Sequence, residues 1–378
     1  MNWEIVMGLE VHAELSTKSK IFCGCSTVFG AAPNTHVCPG CAGEPGVLPV
    51  LNKAVVEYAM RLGLTLGCDI TRVNTFDRKS YFYPDLPKAW QTTQFYAPVC
   101  RNGGIGEFRL HQIHMEEDAG KLVHAPDGSA AYMDYNRSGT PLLEIVTKPD
   151  FRTAEQVISF LETLRETLLY LDICDCKMQE GSLRCDVNLS VRPMGQEAFG
   201  VRTEMKNLNS FKAIARAIEY EAKRHIDIIE RGGQITQETR RWDDNKGKSM
   251  PMRNKENAQD YRYFPCPDIP PVVIDDAWLE QVRENLPELA AQKRARYTGE
   301  YGIAPKDAAT ITVHKTISAL FEQLVQLTGQ PKEAANLITG ELMRHLNNTG
   351  TLPEDLQVDA GKLAELIELV LAGKINRA

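Results

Sequence analysis

Apolar and polar side chains alternate from the first residues of the chain. Ile5, Met7, Leu9, Val11, Ala13 and Leu15 fall on one face, and Glu10, His12 and Glu14 on the other. Period two predicts a strand with one buried face and one polar face. The period becomes helical over about 52–66. It is helical again over 153–171, where Val157, Phe160, Leu161, Leu164, Leu168 and Leu171 form one stripe. Thr153 and Gln156 have capping-box spacing at the start of that stripe. The segment SLRCDVNLSVRP then returns to strict alternation. Leu183, Cys185, Val187, Leu189 and Val191 share one face, opposite Ser182, Arg184, Asp186, Asn188, Ser190 and Arg192. VRTEMK follows with Arg202, Glu204 and Lys206 on one side. A long helix is expected over 209–231, with Asn209 as N-cap and Gly232–Gly233 as the stop.

From about 278 onward strand signals fade and helical periodicity dominates, broken at Gly299–Pro305, Gly329–Pro331 and Gly350–Pro353. The pattern predicts an α+β protein. A large, mostly antiparallel sheet-based cradle domain should fill 1–290, followed by an all-helical domain over 291–378. The last segment, KLAELIELVLAGKINRA, stops in mid-pattern, so the helical domain is expected to be truncated.

The composition is that of a globular protein, with 43% hydrophobic and 25% charged residues in 378. No apolar run is long enough for a membrane-spanning helix. The N-terminus has no secretory pattern, which points to the cytoplasm and to reduced thiols. The net charge is 43 − 50 = −7, so any nucleic-acid role must rest on a local basic surface. Basic residues outnumber acidic ones over 206–262, which includes Arg240-Arg241-Trp242 and Tyr261-Arg262-Tyr263-Phe264. Basic and aromatic residues together suit stacking on single-stranded RNA ends, although a solvated helix face accounts for much of the excess.

Four of the ten cysteines are clustered in the loop 22–42. Cys23-Gly-Cys25 precedes Cys38-Pro-Gly-Cys41, and two such knuckles offer four thiolates for a tetrahedral Zn²⁺. A closed four-sulfur site leaves no open position, so the zinc should be structural. Cys68, Cys100, Cys174, Cys176, Cys185 and Cys266 are scattered and read as free thiols.

Acidic and polar residues gather on segments that otherwise read as buried. They are Glu10 and His12; His114, Glu116, Glu117 and Asp118; and Glu144 inside the apolar run PLLEIVTKP. Oxygen ligands with one imidazole suit Mg²⁺ when phosphates complete the shell; ordinary surface carboxylates are the alternative. Two further clusters read as working surfaces. One runs from Asp77 to Lys88 and contains Lys79 and Tyr83. The other joins Arg184, Asp186 and Asn188 to Arg202, Glu204, Lys206 and Asn207. A phosphate-bearing substrate would account for the bases and a metal for the acids; structural salt bridges would account for both. Neither a P-loop nor a GxGxxG nor a GxSxG motif is present, so a nucleotide site would be built on sheet side chains and metal.

Eight segments in order, GLEVHAEL, FDRKSYFYPDLPK, HMEEDAGK, NRSGTPLLEIVTKPD, EGSLRCDVNLSVRP, EMKNLNSF, QETRRWD and DYRYFPCPDIPP, closely resemble the B subunits of the glutamyl/aspartyl-tRNA amidotransferases. The resemblance covers about 1–290 and continues more weakly beyond. It implies phosphorylation of the side-chain carboxylate of Glu-tRNA(Gln) or Asp-tRNA(Asn) with ATP and Mg²⁺. Amidation then uses ammonia that the amidase (A) subunit releases from glutamine and delivers through a channel, with the small (C) subunit clamping the heterotrimer. It implies His12, Glu117 and Glu144 as Mg²⁺ ligands, with Glu10, Glu116 and Asp186 as further candidates. Arg184, Lys206 and Asn207 would meet phosphates or the aminoacyl end, with Asn188 and Glu204 beside them. Lys79, Tyr83 and Lys88 would lie near channel and site. The family also implies a C-terminal tail domain gripping the tRNA body, expected here to be absent. The other reading is a non-catalytic RNA-binding scaffold held by a zinc knuckle, which has no need of a His-plus-carboxylate cluster.

Overall fold

The structure is a computed structural model that describes residues 2–125, 127–254 and 260–376. The basic stretch expected over 206–262 therefore lies in part outside the described residues. Two compact units divide the chain, Met1–Leu286 and Pro287–Ala378.

The first unit is organised by a ten-stranded sheet. Its main strands and helices in chain order are β1 (Trp3–Glu14), α1 (Lys53–Thr65), β2 (Phe108–Glu117), β3 (Pro141–Thr147), α2 (Ala154–Tyr170), β4 (Leu183–Pro193), β5 (Thr203–Lys206), α3 (Phe211–Glu230), β6 (Glu238–Asp243) and β7 (Lys248–Asn254). Across the sheet the order is β7-β6-β5-β4-β1-β3-β2, and short strands at Cys100–Arg101 and Asp69–Ile70 extend that edge. All these neighbours are antiparallel except β5 and β6, which run parallel. The α+β reading holds.

Each face of the sheet follows from the alternation in the sequence. Leu9, Val11, Ile113, Met115, Leu143, Ile145, Val187 and Leu189 all point to one side and are buried. Helix α3 packs on β4 over that side, and α2 packs against α3. Val157, Phe160, Leu161, Leu164 and Leu168 of α2 are at most 1% exposed, so the predicted stripe is its buried face. Each such side chain contributes about 1.5–3 kcal/mol of burial. The Thr153–Gln156 capping box is formed. In α3 the cap is Ser210, whose hydroxyl accepts from the Ala213 amide, rather than the expected Asn209. Both residue types can cap, and sequence spacing alone does not choose between adjacent ones.

A three-stranded sheet, Phe264–Pro265, Asp77–Ser80 and Trp90–Thr93, carries the Lys79 segment. The second unit is helical, with a core around Tyr297, Phe321, Leu324 and Ile338. Pro305 and Pro331 open helices and left-handed Gly329 and Gly350 close them, at the breaks read from the sequence. Lys293 and Glu322 pair at 2.6 Å across its surface.

Candidate active site on the polar face of the sheet

The other face of the sheet carries a row of polar residues, because strand period two sends every second side chain there. His12 on β1 lies opposite Glu144 on β3 and Arg184 on β4, while Glu10 lies opposite Asp186. Glu144 lies opposite His114 on β2, and Asn188 opposite Glu204 on β5. The register thus joins residues from five strands into one surface.

Two acid groups converge on it. In the first, His12, Glu116 and Glu144 each offer a ligand atom, and these atoms lie within 4.8 Å of one another. His12 Nε2 is 3.5 Å from both Glu116 Oε1 and Glu144 Oε2. His114 Nε2 is 2.8 Å from Glu144 Oε2 and 3.6 Å from Glu116 Oε2. Burial opposes charge on His114, but the Glu144 and Glu116 carboxylates outweigh it and push its pKa up to about 10. His12 is raised in the same way, and the two imidazoles hold Glu144 well below the usual carboxylate range against its burial. The donor set fits a divalent cation. Two carboxylates and an imidazole aim at one point, and the charge they concentrate is now met by an imidazole proton that a metal would displace.

In the second group, Glu10, Asp186 and Glu204 likewise lie within 4.8 Å of one another. Lys206 pairs with Asp186 and, at 2.8 Å, with Glu204. Asn188 Nδ2 donates to Glu10 at 2.9 Å. Burial, then the Glu144 and Glu204 charges, raise the Glu10 pKa. Arg184 reaches Asp118 at 2.7 Å, while its buried Nε has no partner.

One expected metal ligand stands apart from the group. Glu117, expected beside His12 and Glu144, points to the opposite face, because it is adjacent to Glu116 on one strand. There it accepts from Lys88 Nζ at 2.5 and 2.6 Å and from the Thr92 amide at 2.8 Å. The pair lines a small cavity of about 80 Å³ shared with Cys23, Cys41 and Trp90. His114, named with the acidic cluster in the sequence but given no role there, joins this group through Glu144 and Glu116. Its spacing of two from Glu116 was the available signal. Asn207, expected at the phosphates, instead uses its amide on the Trp242 carbonyl at 2.9 Å, from a left-handed backbone (φ 65°).

Lys79 stands beside the first group inside an aromatic wall. Its Nζ is 4.8 Å from the Tyr261 ring centroid and 5.7 Å from that of Tyr81. Burial disfavours its charge, but Glu116 and other nearby groups raise its pKa above the ordinary lysine value. Tyr83 is half-exposed, its ring 6.2 Å from Tyr81.

Cys23, Cys25, Cys38 and Cys41 bring one Sγ each within 4.8 Å of one another. The Cys38 amide points at Cys41 Sγ (3.2 Å), and the buried Lys20 ammonium lies 3.5 Å from the same sulfur. A hydrogen bond from Cys23, with Lys20 nearby, lowers the Cys41 thiol to about 4. Four converging sulfurs suit a closed tetrahedral zinc site.

Comparison with known proteins agrees with the motifs. The GatB/GatE catalytic domain family matches residues 5–280, and the GatB domain family matches 319–378. Three similar relatives are each named as the B subunit of an aspartyl/glutamyl-tRNA(Asn/Gln) amidotransferase. That of Lachnoclostridium phytofermentans is 56% identical over 99% of this chain and 80% of its own length. That of Agathobacter rectalis is 55% identical over 99% and 81%. That of Caldicellulosiruptor bescii is 55% identical over 98% and 79%.

Proposed function

The chain belongs to the family of tRNA-dependent amidotransferase B subunits, and from that premise we propose that its polar sheet face activates the side-chain carboxylate of a misacylated tRNA with ATP. The substrates would be Glu-tRNA(Gln), Asp-tRNA(Asn) or both. A carboxylate oxygen attacks the γ-phosphorus and ADP leaves. Ammonia then attacks the carbonyl carbon of the acyl phosphate, the C–O bond to phosphate breaks, and the nitrogen loses a proton to give the amide. Without activation the leaving group would be oxide, which is why the phosphoryl step is needed.

The observation that carries this reading is the convergence of Glu116, Glu144 and His12 on one point of a face that also holds Lys206 and Arg184, with Lys79 of the three-stranded sheet beside it. Phosphoryl transfer depends chiefly on positioning and charge neutralisation. His12, Glu116 and Glu144 would hold Mg²⁺, which when bound neutralises phosphate charge. Lys79, walled by Tyr81 and Tyr261, presents an ammonium to the anion formed there. The unpartnered Nε of Arg184 can take a phosphate or carboxylate oxygen. The aromatic wall limits water access to a labile acyl phosphate. The Lys88–Glu117 pair fits a place on the ammonia route rather than in the metal site.

The amidase (A) subunit would supply ammonia from glutamine, with the small (C) subunit completing a cytoplasmic heterotrimer. Residues 1–290 would form the catalytic domain and 291–378 a separate helical one. No described helix is long and apolar enough to cross a membrane. A scaffold without catalysis is disfavoured, because buried convergent carboxylates lower stability and serve no purpose there.

The test is reconstitution of the chain with its two partner proteins. ATP hydrolysis and amidation should both require Glu-tRNA(Gln) or Asp-tRNA(Asn). RNA binding with no aminoacyl-tRNA-dependent ATP hydrolysis would favour the scaffold.

A further inference from the structure

Lys20, beside the cysteine group, is completely buried (0% exposed). Lysine is almost never fully buried unless its charge is paired. Its ammonium has three protons to place. One lies on the His36 carbonyl at 2.8 Å, one on the Tyr135 carbonyl at 3.2 Å and one on Cys41 Sγ at 3.5 Å. Two of these partners are neutral carbonyls and none is a carboxylate. Of the three, only the sulfur can carry the opposing charge.

Its place in the chain lets Lys20 reach every part of the cysteine loop. It lies on the segment that enters the first knuckle, and its own amide donates to the Cys25 carbonyl at 3.0 Å, closing that knuckle. The side chain crosses to Cys41 in the second knuckle and to His36 between the two. The tie to Tyr135 is duplicated by asparagines. Asn34 donates to the Met133 carbonyl and accepts from the Tyr135 amide, both at 2.8 Å, and Asn136 accepts from the His36 amide at 2.8 Å. Those bonds hold the loop to the 133–136 segment without Lys20. What the asparagines do not supply is a positive charge at a sulfur.

Four thiolates exceed the charge of Zn²⁺ by two, and a partly buried excess is costly unless something opposes it. An N–H donor to a ligating sulfur draws charge from it and fixes its direction, as outer-shell partners of metal ligands do. Cys41 receives two such donors, the Lys20 ammonium and the Cys38 amide. We propose that Lys20 is a positioning residue for the zinc site. It offsets part of the excess negative charge at Cys41 and holds that sulfur toward the other three. The proposal rests on the reading that the four sulfurs hold zinc.

The test is competition for Zn²⁺ between the full chain and a chromophoric chelator. Lys20→Met, close in size and uncharged, should bind zinc about tenfold to a hundredfold more weakly, the usual cost of removing an outer-shell partner. In the cobalt-substituted variant the sulfur-to-metal charge-transfer bands should move to lower energy, because the Cys41 lone pairs lose a positive neighbour. A lysine that merely ties the loop would lower the unfolding midpoint equally with and without zinc. Here the midpoint should fall more in the zinc-loaded protein. Lys20→Gln, which keeps an N–H donor but no charge, should also weaken zinc binding, and it carries the test if Lys20→Met fails to fold. Zinc affinity within about twofold of the unaltered chain in the folded variant, or equal destabilisation of the loaded and zinc-free forms, overturns the role of Lys20 and leaves the zinc reading standing. Absence of zinc from the unaltered protein overturns both.

Discussion

The main sheet has a buried glutamate–histidine pair on each side, and the two are built differently. Beneath the sheet, Glu221 and His225 of α3 are fully buried. Glu221 is met by Arg224 at 2.5 Å, by the Ser249 hydroxyl at 2.7 Å and by His225 at 3.3 Å. Arg240 pairs with the neighbouring Glu238 at 2.7 Å, and Thr203 lies 2.8 Å from His225. Two carboxylates are matched by two guanidiniums. On the open face, the ion pairs of Glu116 and Glu144 among the described residues are to imidazoles, and three further acids crowd around Lys206. A network whose charges close on themselves holds strands to a helix. One whose charges converge without closing is arranged for something else to complete it.

The largest effect should come from opening the closed network. Glu221→Ala takes from Arg224, the Ser249 hydroxyl and His225 their shared buried acceptor and should lower stability by about 3–5 kcal/mol in denaturant unfolding. An unaltered midpoint would show that the network does not bear on folding. On the open face, Glu116→Gln should leave that midpoint unchanged or raise it, because it relieves like-charge crowding. It should lower amidation by about a hundredfold to a thousandfold. Glu117→Gln should leave Mg²⁺ dependence intact, since its carboxylate faces Lys88 instead. Equal loss of metal dependence in both variants would contradict the assignment by face.

Zinc content sharpens the contrast further, because the cysteine group is also convergent. Protein prepared without chelator should carry one zinc per chain by metal analysis, and Cys38→Ser should lose it. Full zinc retention in that variant would exclude the four-sulfur site. The smallest effect is a pH dependence. Burial pushes the Glu221 carboxyl up, but hydrogen bonds from His225, Arg224 and Ser249 and the Arg224 charge win, leaving it at about 2 against 4.5 unfolded. A depressed carboxyl stabilises fully above its unfolded value. That contribution should fade as pH falls from about 4.5 towards 2, and Glu221→Gln should flatten the slope. An identical slope in the variant would remove Glu221 as its source.

Much of this is legible in the sequence because strand alternation is a local property. The α+β class, the two faces of β1 and β4, and the α2 stripe all follow from it. Family likeness offers both Glu117 and Glu116, and of the two only Glu116 lies with His12 and Glu144, because strand parity puts it on the face of His114. The Glu221 network is invisible in the sequence for another reason. It joins α3 to β5, β6 and β7, and no local pattern records which distant strands a helix covers.

The central claim is that this face activates the carboxylate by phosphorylation, and an oxygen-label experiment tests it most directly. The reconstituted enzyme is given aminoacyl-tRNA whose side-chain carboxylate carries heavy oxygen, with unlabelled ATP, and the released phosphate is analysed by mass spectrometry. Transfer of one labelled oxygen into phosphate for each amide formed is the predicted result. Amide formation with no label in phosphate would contradict the account.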